Sequence, residues 1–275
     1  MAALFALSAA VSFGVADFAG GLAARRTSAL TVTLLVQLAG SAVLLPALAL
    51  LPGHLSTAAA VSGAIAGLAG SFGLLLYLRG LAVGPMGVVA PLSALIGAGL
   101  PFGVGVLTGE RPPPVTLGGV VAALLAVALA TANTRRGGAP ATGLLLGLGS
   151  GVGFGLFYVA LGTTPPGSGL WPLLAARGAS LVLFGGLVLS AARARSRPAG
   201  LGLIALSGAL DMIANILFLL AVRSGALGVS AVLVSLYPVV VVVLARFVLG
   251  ERLNAVQLAS VTLAVAAGAV LSAGG

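Results

Sequence analysis

The stretch from Gly84 to Arg111 reads GPMGVVAPLSALIGAGLPFGVGVLTGER, and the stretch from Gly225 to Arg252 reads GALGVSAVLVSLYPVVVVVLARFVLGER. The two align without a gap, and each is a long apolar run that ends in Gly-Glu-Arg. Aligned residues lie 141 positions apart, about half of the 275-residue chain. A long segment repeated at half-length predicts an internal duplication, a pattern typical of many membrane proteins.

The composition indicates that lipid, rather than water, surrounds most of the chain. Hydrophobic residues make up 60% of the sequence and charged residues only 6%, whereas soluble domains carry roughly 25% charged residues. So few charges cannot cover a water-compatible surface. We therefore expect the lipid bilayer to be the principal partner of this protein.

The net positive charge of the chain is also explained by a membrane location. The net charge is +9, a value that in a soluble domain would indicate nucleic acid. Here the basic residues are all arginines, and apart from Arg177 they lie near the ends of apolar runs, where cytoplasmic positive charge orients membrane helices. We do not expect nucleic acid as a partner.

Residues for catalysis or metal binding are scarce. The chain has no cysteine, one histidine and four acidic residues. These are too few and too scattered for a metal cluster or a catalytic triad. We expect no metal, no cofactor and no enzymatic activity, and a membrane-embedded enzyme is only the remote alternative.

The apolar runs are long enough for transmembrane helices, each of which needs about 20 residues. Interruptions by Arg, Pro-Gly or Gly-rich turns divide the chain into ten runs. A β-barrel would instead show alternating strands of about ten residues. The prediction is an all-α integral membrane protein with helices near 3–23, 30–51, 58–81, 86–107, 115–133, 142–161, 170–191, 201–221, 227–249 and 255–272.

Five helices per half is an odd number, so the second half enters the membrane from the opposite side. We therefore predict two inverted five-helix repeats, residues 1–136 and 141–275, related by an axis in the membrane plane. A duplicated chain already contains both halves of a pore, which favours a monomer. Glycine ladders, such as Gly63 and Gly67 or Gly143, Gly147, Gly151 and Gly155, are expected to let helices pack closely in lipid.

The arginines predict the orientation, because positive residues concentrate in cytoplasmic loops. With both termini outside, the outer loops hold only Arg111 and Arg223. We expect this arrangement in a bacterial inner (plasma) membrane. The arginines assigned to the inside loops are Arg25, Arg26, Arg135, Arg136, Arg193, Arg195, Arg197 and Arg252, with Arg79 and Arg246 near that face.

Two acidic residues inside apolar runs are candidates for function, because a charge at mid-membrane costs about 2.5 to 3.5 kcal/mol. Asp17 would either face a cavity, as a site for a substrate amine or a proton, or pair with Arg25 or Arg26. Asp211, with Asn215 one turn further, would face a cavity or make a helix–helix hydrogen bond. Arg177 is its candidate counter-ion or else snorkels outward, and Gln37, almost aligned with Arg177 in the repeat, is interpreted as structural.

Aromatic residues are only 5% of the chain, so their placement is informative. Phe13 and Asp17 share one helix face, and Phe154 and Tyr158 share the face that aligns with it. Two related faces of this kind predict a central cavity between the halves, although each residue alone could serve packing. The predicted cavity residues are Phe13, Asp17, Tyr77, Ser93, Phe154, Tyr158, Asp211, Asn215, Ser235 and Tyr237.

Prolines and the repeated turns complete the set of candidates. Pro91, Pro101 and Pro238 lie inside apolar runs, where each removes a backbone hydrogen bond and favours a kink that could serve gating. The turns at Glu110-Arg111 and Glu251-Arg252 are interpreted as structural. In each turn the carboxylate is expected to accept hydrogen bonds from free N–H groups of the next helix.

The ten helices, the two repeats and the paired Gly-Glu-Arg turns resemble the EamA-type exporters of the drug/metabolite transporter superfamily. The resemblance covers the whole chain, and it includes Pro101, Pro238 and Arg177; the first half departs at Gln37-Leu38, where such an Arg would fall. It implies a basket-like bundle whose cavity is lined by helices 1, 3, 4, 6, 8 and 9. It also implies alternating-access export of amino acids and related metabolites as small-molecule substrates, with the aromatic amino-acid branch favoured. A cationic-drug exporter is the alternative.

Overall fold

The computed structural model describes residues 1–83, 86–132, 141–190, 198–248 and 255–273. Within these ranges the regular elements are all helical, apart from turns. A single 3₁₀ turn covers Pro166–Ser168. The α-helices are α1 Ala2–Ala24, α2 Ala29–Leu50, α3 Thr57–Val83, α4 Met86–Leu107, α5 Pro114–Ala132, α6 Ala141–Gly162, α7 Trp171–Ser190, α8 Leu201–Ser224, α9 Leu227–Val234, α10 Tyr237–Val248 and α11 Ala255–Ala273.

The helices are long and apolar enough to cross a bilayer. By length and composition, seven segments qualify: α1, α2, α3, α6, α7, α8 and the segment Leu227–Val248, which contains α9 and α10. Large apolar side chains such as Leu107, Val182 and Leu189 are exposed on the outside of the bundle. Such a surface suits lipid rather than water, so the prediction of an all-α membrane protein is confirmed.

Hydrogen bonds between connections define two opposite ends of the bundle. At the first end, the backbone N–H of His54 donates to the Gly167 carbonyl (3.0 Å), and Trp171 Nε1 donates to the Gly53 carbonyl (2.9 Å). At the second end, the Thr27 hydroxyl and the backbone of Ala199 are joined in both directions, at 2.9 and 3.2 Å. The α2–α3 and α6–α7 connections therefore share one end, and the α1–α2 and α7–α8 connections share the other.

These ends show that the two halves run in opposite directions. The first helix of the first half, α1, ends beside Thr27 at the second end. Its counterpart α6 ends next to the Pro166–Ser168 turn at the first end. The packing follows the same rule: α1 packs on α8 and α3 on α6, while α2 packs on α8 and α3 on α7. When the two halves are interchanged, the α1–α8 pair becomes the α6–α3 pair, and the α2–α8 pair becomes the α7–α3 pair. This is the geometry of an inverted duplication.

Glycines allow backbones to touch where the two halves meet. A Cβ on Gly67 of α3 would overlap the backbone carbonyl of Ala176 in α7. A Cβ on Gly208 of α8 would likewise overlap the carbonyl of Val36 in α2. On α6, added Cβ atoms at Gly151 and Gly155 would lie within 2.6 to 2.8 Å of α4 atoms. The expected role of these glycines in close helix packing is confirmed.

The predicted ninth helix is interrupted, which corrects its expected span of 227–249. α9 ends at Val234 and α10 begins at Tyr237. The cause is Pro238, which has no N–H to donate to the Val234 carbonyl and whose ring would clash with it. The Ser235 hydroxyl instead donates to the Val232 carbonyl (2.7 Å). By contrast, α4 contains Pro91 and Pro101 and remains one helix, so only the second half has its helix broken at a predicted kink.

The Glu110 carboxylate caps a helix of the other half, which corrects the expectation that it would cap the next helix. It accepts hydrogen bonds from the backbone N–H groups of Leu227 (2.9 Å) and Gly228 (3.2 Å), at the start of α9. The next helix, α5, begins with Pro114 after two further prolines, and proline has no N–H to offer. Glu110 therefore ties the α4–α5 turn to the second half.

The other turn residues add little to this picture. The Arg111 side chain is exposed. The second turn, with Glu251 and Arg252, lies outside the described residues.

The packing predicts which glycines the fold requires. Gly67→Ala should lower the midpoint of thermal unfolding in detergent strongly, because overpacking against a rigid backbone costs about 1–3 kcal/mol or more. Gly185→Ala is the matched control in α7, where an added Cβ meets nothing within 4 Å and helix propensity improves. Size-exclusion chromatography after heating measures both. Equal tolerance of the two alanines would contradict the close α3–α7 approach.

Candidate functional site

A central cavity lies between the two halves. Residues of both halves line it: Phe13, Asp17, Gln37, Gly67, Gly70, Ser71, Leu74, Phe154, Phe157, Tyr158, Leu173, Ala176, Arg177, Ser180, Asp211, Asn215 and Tyr237.

The lining differs from the expectation drawn from the family. α2 and α7 contribute residues to the cavity wall, whereas the lining includes no described residue of α4. The reason is the tight glycine contact of α3 with α7 and of α2 with α8, which brings α2 and α7 up to the cavity.

Seven of the ten predicted cavity residues meet at this cavity: Phe13, Asp17, Phe154, Tyr158, Asp211, Asn215 and Tyr237. The other three lie outside its lining. Tyr77 is fully buried behind the wall, Ser93 is buried in α4, and the Ser235 hydroxyl is used in the α9–α10 break. Whether any of these residues touches a substrate remains a prediction.

Asp17 stands at the cavity wall without a cationic partner among the described residues. Arg25 and Arg26, the alternative partners considered from the sequence, are exposed at the second end, about two helical turns away. The neighbours of the carboxylate are instead tyrosines, with the Tyr77 hydroxyl facing it most closely. The pairing of Asp17 with these arginines is therefore not seen.

Tyr77 supports the wall from behind. Its ring packs edge-on against Phe154 and Tyr237, with centroid distances of 5.6 and 6.3 Å. Its hydroxyl faces Asp17 but makes no hydrogen bond of good geometry. The Tyr237 hydroxyl contacts the Ala90 carbonyl at 3.4 Å. Tyr77 and Tyr237 thus connect the acidic position on α1 to helices of both halves.

Arg177 and Asp211 form a direct ion pair between α7 and α8. Arg177 Nη2 donates to Asp211 Oδ2 at 2.5 Å. Asn215 Nδ2 donates to the same oxygen at 3.2 Å and to the Asp211 backbone carbonyl at 2.7 Å. The Arg177 side chain is only 8% exposed. The counter-ion interpretation is therefore correct, and Arg177 does not snorkel outward.

Aromatic rings form a continuous part of the wall. Phe157 and Tyr158 of α6 lie edge to face at 5.4 Å, and Tyr158 packs on Phe218 of α8 at 4.5 Å. Phe154 faces the same cavity one turn earlier. Aromatic pairs at such distances contribute about 0.5–1.5 kcal/mol beyond their burial, so this wall is rigid as well as apolar.

A chain of polar side chains at the cavity is not predicted by the sequence. Gln37 Nε2 donates to the Ser71 hydroxyl, Ser71 donates to the Ser180 hydroxyl, and Ser180 donates to the carbonyls of Gly67 and Ala176. In the sequence Ser71 and Ser180 carry no signal, because helical serines commonly bond their own backbone. Gln37 stands out in the repeat, but its interpretation as structural does not place it at the cavity.

The side chains at the cavity supply charged, polar and aromatic groups. Among the described residues, no group of three or more His, Cys, Asp or Glu could hold a metal ion. The cavity instead combines one carboxylate without a cation, one ion pair and an aromatic wall.

The fold matches known structures. One solved structure, "Crystal structure of protein", aligns over 99% of this chain and 96% of its own, with a TM-score of 0.73 and 20% sequence identity. At that identity the likeness concerns the fold alone. Among curated proteins, none matches the chain in sequence.

The decisive match is to a family, and it occurs twice. The EamA-like transporter family matches residues 1–132 and again residues 141–273. The two matches together cover nearly the whole chain and coincide with its two inverted halves. The protein belongs to the EamA-like transporter family and is a multi-span membrane transporter of the drug/metabolite superfamily.

Proposed function

We propose that this protein exports amino acids with aromatic or large apolar side chains through the central cavity. The observation that supports it is the charge pattern of that cavity. Asp17 faces the cavity without a cation, next to an ion pair that is already balanced, and aromatic rings form the adjacent wall.

The charge pattern favours a substrate with an ammonium group. Among its described lining residues, the cavity holds two carboxyl groups, Asp17 and Asp211, and one guanidinium, Arg177. A buried charge is costly unless a partner neutralises it. A substrate ammonium would supply that partner to Asp17.

The walls favour an apolar or aromatic substrate side chain. Phe13, Phe154 and Tyr158 stand on one side, and Leu74 and Leu173 add aliphatic surface. Apolar surface removed from water contributes about 25 cal/mol per Å². The aromatic wall of the cavity would stack on an aromatic ring of the substrate.

The fold offers a means of alternating access. The break between α9 and α10 lies directly before Tyr237, whose side chain is part of the cavity wall. Broken helices at the repeat interface are common in transporters that rock one half against the other. Bending at Pro238 would move Tyr237 together with the wall that it forms.

An exporter of organic cations is the second candidate. It is favoured by the same Asp17 carboxylate, because a cation without a carboxylate would satisfy it equally well. The two proposals differ in whether the substrate needs a carboxylate of its own.

Positive-inside counting supports an orientation in the bacterial inner membrane. Arg25 and Arg26 are exposed at the second end of the bundle, and the arginines of segments 133–140 and 191–197 follow helices that run toward that end. We propose that the second end is cytoplasmic and that both termini lie outside.

The substrate class is tested by counterflow in proteoliposomes, an assay that does not depend on protein orientation. Three compounds with the same phenyl group should separate the candidates: L-phenylalanine, phenethylamine without the carboxylate, and phenylpropionate without the ammonium. We expect saturable exchange of L-phenylalanine, weaker exchange of phenethylamine and none of phenylpropionate. Asp17→Asn should reduce exchange of L-phenylalanine at least about tenfold, since a charge-assisted contact is lost.

A matched pair of variants locates the site. Phe154→Ala should raise the KM for L-phenylalanine, whereas Phe247→Ala should leave it unchanged, because the Phe247 side chain is 81% exposed on α10. Exchange of phenethylamine alone would instead establish the cation exporter. Exchange of neither compound would refute both proposals.

The orientation is tested in a chain that naturally lacks cysteine. A single cysteine introduced by His54→Cys, at the first end, should react with a membrane-impermeant maleimide in intact spheroplasts. One introduced by Arg26→Cys, at the second end, should react only after the membrane is permeabilised. Both positions are exposed, so the reverse pattern would place both termini in the cytoplasm.

A further inference from the structure

Two polar bonds at the cavity join corresponding pairs of helices in the two halves. In the first half, Gln37 of α2 bonds Ser71 of α3; in the second, Arg177 of α7 bonds Asp211 of α8. Each bond joins residues 34 positions apart. The first bond is neutral and the second is an ion pair.

The glycine contacts show which of these residues are equivalent: Arg177 corresponds to Gln37, whereas Asp211 corresponds to Gly70, one residue before Ser71. Gly67 meets the backbone of Ala176, and its repeat counterpart Gly208 meets the backbone of Val36. The residue after Ala176 is Arg177, and the residue after Val36 is Gln37. Arg177 and Gln37 are therefore structural counterparts, although the sequence repeat places them one residue out of register.

A second pair of corresponding residues, Ser180 and Gly40, explains how the Arg177 guanidinium fits beside α2. Ser180, three residues after Arg177, fills the α3–α7 contact and accepts the Ser71 hydrogen bond. The corresponding residue in α2 is Gly40. A Cβ there would lie only 3.2 Å from Arg177 Nη2 and 3.0 Å from the Gly208 carbonyl, so the glycine leaves space for the guanidinium.

We propose that Arg177 is the specificity-determining residue that binds the carboxylate of the substrate, and that Asp211 positions its guanidinium. This inference rests on the proposed function, since it concerns the same cavity. Its basis is the difference between the halves: where the first half has the neutral Gln37 and Gly70, the second half has the charged Arg177 and Asp211 beside the cavity.

The guanidinium has donors to spare for this role. Arginine carries five N–H donors, and within the described chain Arg177 uses one nitrogen, Nη2, toward Asp211. Its other nitrogens are not among the buried polar atoms that lack a partner, and the residue lines the cavity. These N–H groups are therefore open to the cavity, where a carboxylate can accept from them in the fork geometry that arginine favours.

Asp211 need not be displaced when a substrate binds. It contacts a single guanidinium nitrogen, and Asn215 supplies a further hydrogen bond to the same carboxylate. A substrate carboxylate would thus join the existing pair, with its ammonium directed to Asp17 on α1. The substrate is held at both ends, and only the second half supplies the anion-binding group.

The test replaces the charged pair of the second half with neutral residues. The double variant Arg177→Gln, Asp211→Ser replaces the ion pair with the two neutral residue types that bond between α2 and α3. The measured quantity is the ratio of apparent affinities for L-phenylalanine and phenethylamine in competition binding to purified protein. We expect affinity for L-phenylalanine to fall at least about tenfold, as when a charge-assisted hydrogen bond is lost, while affinity for phenethylamine changes less than about threefold.

Arg177→Lys is the second variant, and it keeps the inference testable if the double variant unfolds. Lysine retains the charge but not the planar fork, so the affinity ratio should shift in the same direction by a smaller factor. An unchanged ratio in a folded variant would overturn the inference while leaving the proposed function intact. Failure of the wild-type protein to bind L-phenylalanine would overturn both.

Discussion

The close approach of backbones at Gly67 and Gly208 is the constraint on which the rest of the structure depends. In lipid, helices gain little from burying apolar side chains, so association relies on packing contacts that small residues permit. At these two glycines, α3 meets α7 and α2 meets α8 without intervening side chains. Each contact joins one half to the other. The residue that follows the contacted Ala176 or Val36, Arg177 or Gln37 respectively, lies at the cavity.

That packing lets a duplicated chain build an asymmetric site from symmetric parts. The backbone contacts are the same in both halves, but the polar groups beside them differ: a neutral hydrogen bond in one half and an ion pair in the other. Asp17, whose aligned position in the second half is Tyr158, adds a further difference. A substrate with distinct positive and negative ends would therefore bind the cavity in one orientation.

Much of the architecture followed from sequence because membrane physics leaves few alternatives. The lengths of the apolar runs predicted the helix boundaries to within a few residues. The buried charge of Asp211 requires a partner, and Arg177 was a candidate for it in the sequence. A kink at Pro238 was predicted, but that it would end one helix and start another, and that Glu110 would cap α9, was not predicted. Pro91 and Pro101 leave α4 continuous, whereas Pro238 interrupts its helix. Which of two helix N-termini the Glu110 carboxylate caps depends on the tertiary packing of those helices. The Gln37–Ser71–Ser180 chain was hidden for the same reason.

The central claim is that substrate occupies the cavity between the halves, and the absence of native cysteine allows a direct measurement. Leu74→Cys places one thiol in the cavity wall, and His54→Cys places one in the exposed connection at the first end of the bundle. The rate of modification by a small methanethiosulfonate reagent is measured with and without L-phenylalanine. Protection at position 74 and none at position 54 is the predicted result. An unchanged rate at position 74 under saturating L-phenylalanine, phenethylamine and other substrates of the protein would contradict it.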